Sequence, residues 1–284
     1  MTAHLDGREA LAKMARRENF PVASRMLPAG VRAELMAIYS FARYTDDLGD
    51  ESAGDRLAQL DALDAELDRA LAGTSAHPVL EPLSPVLARL DVGVEPFRSL
   101  IEANRMDQRV HHYDTFAALR SYCMLSAAPI GRIVLSVFGA TTPQRVALSD
   151  DVCVGLQLTE HLQDVREDAE RGRVYLPRED MARCGCVDED LQGEHAGPAL
   201  RRLIALEEQR ARDLLAMGPL LGASLPLRPR VAVIGFAAGG LAALDAVRSA
   251  DHDVLGSVCR PTRSGFARRM IGGLRDARKA RSRT

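Results

Sequence analysis

Apolar residues recur every three or four positions along most of this chain, which is the spacing of one face of an α-helix. The clearest stripe runs through Leu57, Leu60, Leu63, Leu67 and Leu71, with acidic residues between them. No stretch alternates apolar and polar residues as a half-buried strand does, and no repeat or Gly/Ser linker is present. The pattern predicts a single all-α domain of roughly eight or more helices.

Composition excludes several classes of protein. A chain of 284 residues can form one large helical domain. The net charge of −2 gives no electrostatic argument for nucleic acid. Five cysteines form no C-x-x-C pair and no zinc-type spacing with histidine, and residues 1–20 lack the apolar core of a signal peptide. These features predict a cytoplasmic protein.

Two further segments bear on membranes. The longest apolar run, residues 231–244, is too short to span a bilayer and predicts a buried helix. Residues 260–284 carry nine Lys/Arg and one acid, Asp276. We therefore expect a folded domain over residues 1–259 and a basic tail over 260–284, solvated and partly disordered. The alternative for the tail is a weak contact with the anionic inner face of a membrane.

The first acidic segment is RYTDDLGD at residues 43–50. Asp46 and Asp50 are four apart and share one face of a helix, as do Asp47 and Glu51. Like charges at this spacing destabilise a helix, and a bound cation would reverse that effect. Mg²⁺ typically takes one or two carboxylates together with substrate phosphates. The segment therefore predicts a Mg²⁺ site.

The second acidic segment lies in a helix predicted over residues 152–170. Glu160, Asp164 and Asp168 are spaced i, i+4, i+8 on one stripe. A diphosphate could approach the carboxylates of both segments only with cations between, and two or three Mg²⁺ would bridge them to phosphate oxygens. Arg43 and Arg173 could neutralise the remaining charge.

Both segments resemble motifs of the squalene/phytoene synthase family. The residues at 43–50 are similar to the family's first aspartate-rich motif. QLTEHLQDVRED at 157–168, followed by GRVYLP at 172–177, is similar to the second. The resemblance runs from about residue 18 to 177 and continues more weakly to about 255.

The resemblance implies a single-domain isoprenoid-synthase helical bundle with a central active-site cavity, in which the two acidic helices face each other. It implies an enzyme that ionises an isoprenoid diphosphate and releases diphosphate. The implied catalytic carboxylates are Asp46, Asp50, Asp164 and Asp168. The implied ligands of two or three Mg²⁺ are these four and Glu160. The implied substrate-binding residues are Arg43, Arg173, Tyr175 and Gln157.

Within the family, ENFPVASRMLP at 18–28 and IEANRMDQ at 101–108 most resemble bacterial hydroxysqualene synthases of the hopanoid pathway. The implied reaction converts presqualene diphosphate to hydroxysqualene when water captures the cation, or to squalene when a hydride does. No G-x-G-x-x-G nicotinamide fingerprint follows a predicted strand, which favours water.

Two residues depart from the family's pattern. Leu125 stands where members that make the cyclopropyl intermediate usually have a tyrosine, and leucine cannot transfer a proton. Glu160 stands where many relatives have asparagine. His161 lies about 100° around the helix from Glu160, so we do not expect both to face the same point.

Two alternatives therefore stay open. One is a prenyltransferase of the same family that attaches the prenyl group to a small aromatic acceptor. The other is a non-catalytic helical protein that binds lipid diphosphates.

Overall fold

The computed structural model describes residues 28–282 of the chain. Almost all of the predicted motif at 18–28 lies outside these residues. The described part contains no β-strand, only an isolated bridge between His112 and Val174, so the all-α prediction is confirmed. A short 3₁₀ helix covers Asp188–Leu191. The α-helices are α1 (Ala29–Asp50), α2 (Arg56–Leu71), α3 (Ser84–Leu87), α4 (Glu95–Asp107), α5 (Phe116–Ser126), α6 (Ala128–Val137), α7 (Pro143–Gln163), α8 (Val165–Glu170), α9 (Arg178–Cys184), α10 (Pro198–Leu215), α11 (Gly218–Ser224), α12 (Leu227–Ser249) and α13 (Arg263–Arg281).

The described residues form two compact units. Unit one comprises residues 28–108 and 129–143, and unit two comprises 109–128 and 144–282. Unit one therefore contains α1 to α4 and nearly all of α6. Unit two contains α5, nearly all of α7, and α8 to α13.

The core of unit one forms where α1, α2 and α4 meet. Phe41 of α1 and Phe97 of α4 are fully buried, and their rings meet edge to face with centroids 5.4 Å apart. From the predicted leucine stripe, Leu60 and Leu67 are fully buried, whereas Leu71 at the end of α2 is 47% exposed. The periodicity thus identified the correct face of α2, apart from its last turn.

A glycine fixes the end of α1 against α4. A Cβ atom added at Gly49 would lie 2.1 Å from Oδ1 of Asn104, so no larger residue fits at this backbone approach. The Nε2 atom of Gln108 donates to the carbonyl of Gly49 at 3.0 Å. This packing holds the last turns of α1, with their aspartates, on α4.

Unit two is built around the long apolar helix α12, which packs against α10, α11 and α13. Its length and composition would allow it to cross a membrane, but 61% of its most apolar window is buried inside the protein. Helices in the core of a folded protein share this length and composition, so these two features alone do not indicate a membrane span. The prediction of a buried helix over 231–244 matches this burial, and the helix extends past that run at both ends.

The prediction of a partly disordered basic tail is wrong for residues 263–281, which form α13. The side chain of Thr262 caps the helix by accepting a hydrogen bond from the amide of Gly265 at 3.0 Å. Arg269 donates from Nε to Asp245 of α12 at 2.8 Å. A Cβ at Gly273 would approach Ile234 to 2.7 Å, so the helix packs closely on α12. The helix cap and the contacts with α12 outweigh the repulsion among the basic residues, which was the basis for predicting a disordered tail.

Candidate active site

The first acidic segment occupies the last two turns of α1, within unit one. Asp46 is exposed, and its Oδ1 atom accepts a hydrogen bond from Nδ2 of Asn104 on α4 at 3.2 Å. The same amide also donates to the carbonyl of Leu100 at 3.2 Å, which fixes its orientation. Asp50 is the final residue of α1, one turn beyond Asp46. Anions at a helix C-terminus face the negative end of the helix dipole, so this pair favours a nearby cation.

The carboxyl of Asp46 is difficult to ionise. Asp46 is an exposed residue as a whole, but the protein around its carboxyl weakens the hydration of that group, and this is the main cause that raises its pKa to about 7. The hydrogen bond from Asn104 lowers the pKa, while the charge of Asp50 raises it further. A divalent cation would offset both unfavourable effects.

Arg43 lies with the other acidic pair of α1. Its Nε atom is 2.8 Å from Oδ1 of Asp47, and a terminal nitrogen is 3.3 Å from Oε1 of Glu51. The guanidinium therefore offsets the charge of this second pair. The two acidic pairs that the spacing predicted thus differ. Asp46 accepts a hydrogen bond from an amide side chain, whereas Asp47 and Glu51 both pair with the guanidinium of Arg43.

The second acidic segment, within unit two, is not one continuous helix as predicted. Helix α7 ends at Gln163, Asp164 leaves the helical conformation with φ −106° and ψ 14°, and α8 follows. The bend is tied down by Arg166, which donates to the carbonyls of Gly193 (3.0 Å) and Leu255 (2.7 Å).

The spacing of the three carboxylates survives this bend. The amide of Asp164 still donates to the carbonyl of Glu160 at 3.0 Å, and the amide of Asp168 to that of Asp164 at 2.8 Å. Glu160 and Asp164 are exposed, and Asp168 is mostly covered, with 15% of its side chain accessible.

Asp164 shares the electrostatic character of Asp46. Weakened hydration is again the largest cause, followed by the charges of Asp168 and Glu167, and together they raise its pKa to about 6. His161 and Arg171 act in the opposite direction.

His161 lies behind Asp168 in a stack of aromatic rings. It is buried whereas Glu160 is exposed, and its Nδ1 atom is 3.7 Å from Oδ2 of Asp168. Its ring stacks on Tyr175 with centroids 3.9 Å apart and an angle of 14°. Tyr175 in turn stacks on Tyr122 at 5.4 Å and on Tyr113 at 5.9 Å. This packing fixes the histidine beside the carboxylate.

The remaining predicted residues of the second segment surround the same histidine. Nε2 of Gln157 is 3.4 Å from Nε2 of His161. Arg173 donates its backbone N–H to the carbonyl of Asp168 at 2.8 Å. A small cavity in unit two is lined by His161, Asp168, Arg173 and Tyr175 among others. The structure therefore brings Gln157, Asp168, Arg173 and Tyr175 together around His161.

The carboxylates suit an ion that uses few protein ligands. Within residues 28–282, no three His, Cys, Asp or Glu side chains converge on one point that could hold a metal alone. Mg²⁺ needs only one or two carboxylates when phosphates and waters complete its shell. Asp46 in unit one and Asp164 in unit two each offer hard oxygen donors, and the raised pKa of each suits a nearby ion of this kind.

Sequence reasoning missed the residues that support these carboxylates. Asn104 is a polar residue on the buried stripe of α4, and that position is the signal that could have identified it. His161 does not share the face of Glu160, yet it lies beside Asp168, seven residues on. Tyr113 and Tyr122 carried no signal in the sequence, because their stack with Tyr175 depends on tertiary contacts.

Comparison with known proteins agrees with the motifs. A model of the squalene/phytoene synthase family matches residues 14–266. A hydroxysqualene synthase of Rhodopseudomonas palustris is 36% identical over 217 residues, which are 75% of this chain and 73% of that protein. A 15-cis-phytoene synthase of Synechococcus elongatus is 32% identical over 225 residues, 74% of this chain and 72% of that one.

Solved structures show the same relationship. The squalene synthase HpnC from Alicyclobacillus acidocaldarius matches with a TM-score of 0.78 and 39% identity, over 92% of this chain and 98% of that one. A dehydrosqualene synthase, only 22% identical, shares the fold with a TM-score of 0.83. The chain therefore belongs to the squalene/phytoene synthase family, whose enzymes act on isoprenoid diphosphates.

Proposed function

We propose that this chain is a Mg²⁺-dependent enzyme that converts presqualene diphosphate and water to hydroxysqualene and diphosphate. The carbon–oxygen bond to diphosphate breaks, and the cyclopropane ring of the resulting cation opens with rearrangement of its carbon–carbon bonds. A carbon–oxygen bond to water then forms, and the water loses a proton. Capture by hydride instead of water would give squalene. The names of two groups of relatives support this choice: hydroxysqualene synthases at 36% identity and a squalene synthase structure at 39%.

The observation that carries the proposal is the pair of carboxylates with raised pKa. Asp46 in unit one and Asp164 in unit two each lie in an acidic i, i+4 series, and the raised pKa of each makes it harder to ionise than an ordinary aspartate. A surface acid placed only for solubility would have no reason to lie at such an unfavourable position. When bound, Mg²⁺ would stabilise the charge that develops on the leaving diphosphate.

The chain's own residues would orient the ligands. We assign metal ligation to Asp46, Asp50, Glu160, Asp164 and Asp168. Asn104 holds one of these carboxylates by a hydrogen bond, and His161 lies against another. Metal sites generally depend on such supporting contacts to fix the direction of their ligands.

Binding of the diphosphate is assigned to a separate group. Arg43 and Arg173 supply positive charge, and Arg side chains suit phosphate oxygens because of their planar set of donors. Tyr175 and Gln157 complete the group. The stacked position of Tyr175 makes its ring rigid, so a contact it makes with substrate would cost little conformational entropy.

Leu125 bears on which step the enzyme performs. It lies on the last turn of α5, where relatives that make the cyclopropyl intermediate usually carry a tyrosine. Leucine cannot accept or donate a proton. The residue therefore favours an enzyme that receives presqualene diphosphate rather than one that makes it. We place the reaction in the cytoplasm.

The test offers presqualene, farnesyl and geranylgeranyl diphosphate separately, with Mg²⁺, and reads the products by mass spectrometry. We expect an oxygenated C30 product from presqualene diphosphate alone. A C30 or C40 product from farnesyl or geranylgeranyl diphosphate would refute the assignment, because the enzyme would then perform the first coupling.

Two control arms address the alternatives. Adding small aromatic acceptors to each tube would reveal a prenyltransferase, because product would then appear only with an acceptor. A chain that binds the substrates but releases no diphosphate under any condition would instead be a binding protein.

A further inference from the structure

Helix α13 carries a band of positive charge on its solvent side. Six cationic side chains are exposed there, and we call them the basic face: Arg263, Arg268, Arg275, Arg278, Lys279 and Arg281. At 100° per residue they fall within an arc of about 160°. The buried residues of the helix, Gly265 and Ala277, lie on the opposite side. The charge therefore points away from the protein.

The remaining charged residues of α13 lie outside this arc. Arg269 faces α12 and pairs with Asp245, so it stabilises the packing of α13 on α12. Asp276, the only acid of the helix, lies outside the arc too and is 3.6 Å from Lys279. No carboxylate of α13 lies within the basic face itself.

An apolar side chain lies near the centre of the basic face. Ile271 falls between Arg278 and Arg275 on the helical wheel and is 50% exposed. Val258, in the segment just before the helix, is 80% exposed. Phe266 in the first turn is 41% exposed, but it lies about 140° around the helix from Ile271, outside the basic face. Arginines on a polar face together with accessible large apolar residues are typical of helices that lie on a bilayer surface.

We propose that α13 binds the surface of an anionic lipid bilayer through the basic face, with Ile271 entering the headgroup region. Two observations favour this occupant over nucleic acid. The chain as a whole has a net charge of −2, and the centre of the face is an aliphatic side chain rather than an aromatic or polar one that could contact bases. The proposal is independent of the reaction that the enzyme catalyses.

The test measures co-sedimentation of the full chain with vesicles, without substrate or Mg²⁺. Vesicles of phosphatidylcholine mixed with phosphatidylglycerol should bind the protein, vesicles of phosphatidylcholine alone should not, and added salt should weaken binding. Each cation near an anionic surface is worth roughly a fivefold change in partitioning. Removing three with R275Q/R278Q/K279Q should therefore reduce affinity on the order of 100-fold.

A matched variant removes the same charge elsewhere. Arg89, Arg183 and Arg202 are exposed and lie outside α13, so R89Q/R183Q/R202Q should bind vesicles almost as the wild type does. I271S should lose a few-fold, because less apolar area enters the headgroup region. Circular dichroism and thermal unfolding confirm that each variant is folded.

Three results would overturn the proposal. One is equal binding to neutral and anionic vesicles, or binding to neither. Another is an equal loss of vesicle affinity in the two triple variants, which would show that binding depends on the net charge of the protein and not on the basic face. The last is tighter binding to duplex DNA than to anionic vesicles at the same salt concentration, which would identify the basic face as a nucleic-acid surface.

Discussion

Replacing Asp46 by asparagine should stabilise the metal-free protein. The substituted amide is nearly the same size as the carboxylate, and its oxygen can still accept the hydrogen bond that Nδ2 of Asn104 donates at 3.2 Å. What the substitution removes is a charge at the end of α1, beside Asp50 and in a place where hydration is weak. Natural proteins often hold such unfavourable groups where function requires them.

The magnitude follows from the pKa. A rise from 3.8 to about 7 corresponds to about 4 kcal/mol at 1.36 kcal/mol for each pKa unit. Because Asp46 is an exposed residue, solvent screening reduces the usable part to about 1–2 kcal/mol. For a chain of this size, the expected rise in melting temperature is about 2–8 °C.

The effect must depend on pH with a definite sign. Because the folded-state pKa lies above the unfolded value, the folded state binds the proton more tightly, and ionisation destabilises it. The wild type therefore loses stability as pH rises from about 4 to about 7. The gain from Asp46→Asn should be full at pH 8 and should shrink as pH approaches 4.

The assay is thermal unfolding in excess chelator at several pH values between 5 and 8. The matched control is Glu51→Gln, which removes a charge from the same helix end but also an ion pair with Arg43. It should leave stability unchanged or slightly lower. If Asp46→Asn were neutral or destabilising at pH 8, Asp46 would not be a strained carboxylate, and the reasoning would be refuted.

Three further predictions follow from the same contacts. Because Asp46 and Asp164 have pKa values of about 7 and 6, the Mg²⁺ concentration needed for half-maximal turnover should rise steeply as pH falls from 7 to 5; a flat dependence would contradict their role as ligands. His161→Phe should keep the ring stack but lose the nitrogen near Asp168, so turnover should fall about 10–100-fold with little change in melting temperature. His161→Asn should restore part of the lost turnover. Wild-type turnover in His161→Phe would exclude a positioning role for His161. Gly49→Ala should destabilise the protein by about 1–3 kcal/mol, because its Cβ would collide with the Asn104 side chain. An unchanged free energy of unfolding would show that α1 and α4 can move apart at this point without cost.

Much of the fold could be predicted from the sequence because helical periodicity is local. The buried face of α2 and the buried run of α12 follow from residue spacing alone. The tail could not be predicted in this way. Nine cations over 25 residues indicate a solvated end. The packed helix is explained by tertiary contacts instead: those of Arg269 and Gly273 with α12 and the packing of α13 on α11.

The acidic residues of the candidate site were visible because their spacing is regular. The residues that contact these carboxylates could not be predicted, because each such contact joins residues that are distant in the sequence. Asn104 reaches Asp46 across 58 positions, and Tyr175 meets Tyr122 only after the chain has passed through α6, α7 and α8. The bend at Asp164 was also hidden, since nothing in the residues around it breaks helical periodicity.

The most direct test of the proposed function measures inorganic diphosphate released from presqualene diphosphate, with and without Mg²⁺, by the wild type and by Asp46→Asn and Asp164→Asn. Glu167→Gln, which removes an exposed charge one residue before Asp168, serves as the control. We expect Mg²⁺-dependent release by the wild type and the control, and a loss of at least 100-fold in both aspartate variants although they remain folded. Release that needs no Mg²⁺, or that continues at the wild-type rate in either aspartate variant, would contradict the account.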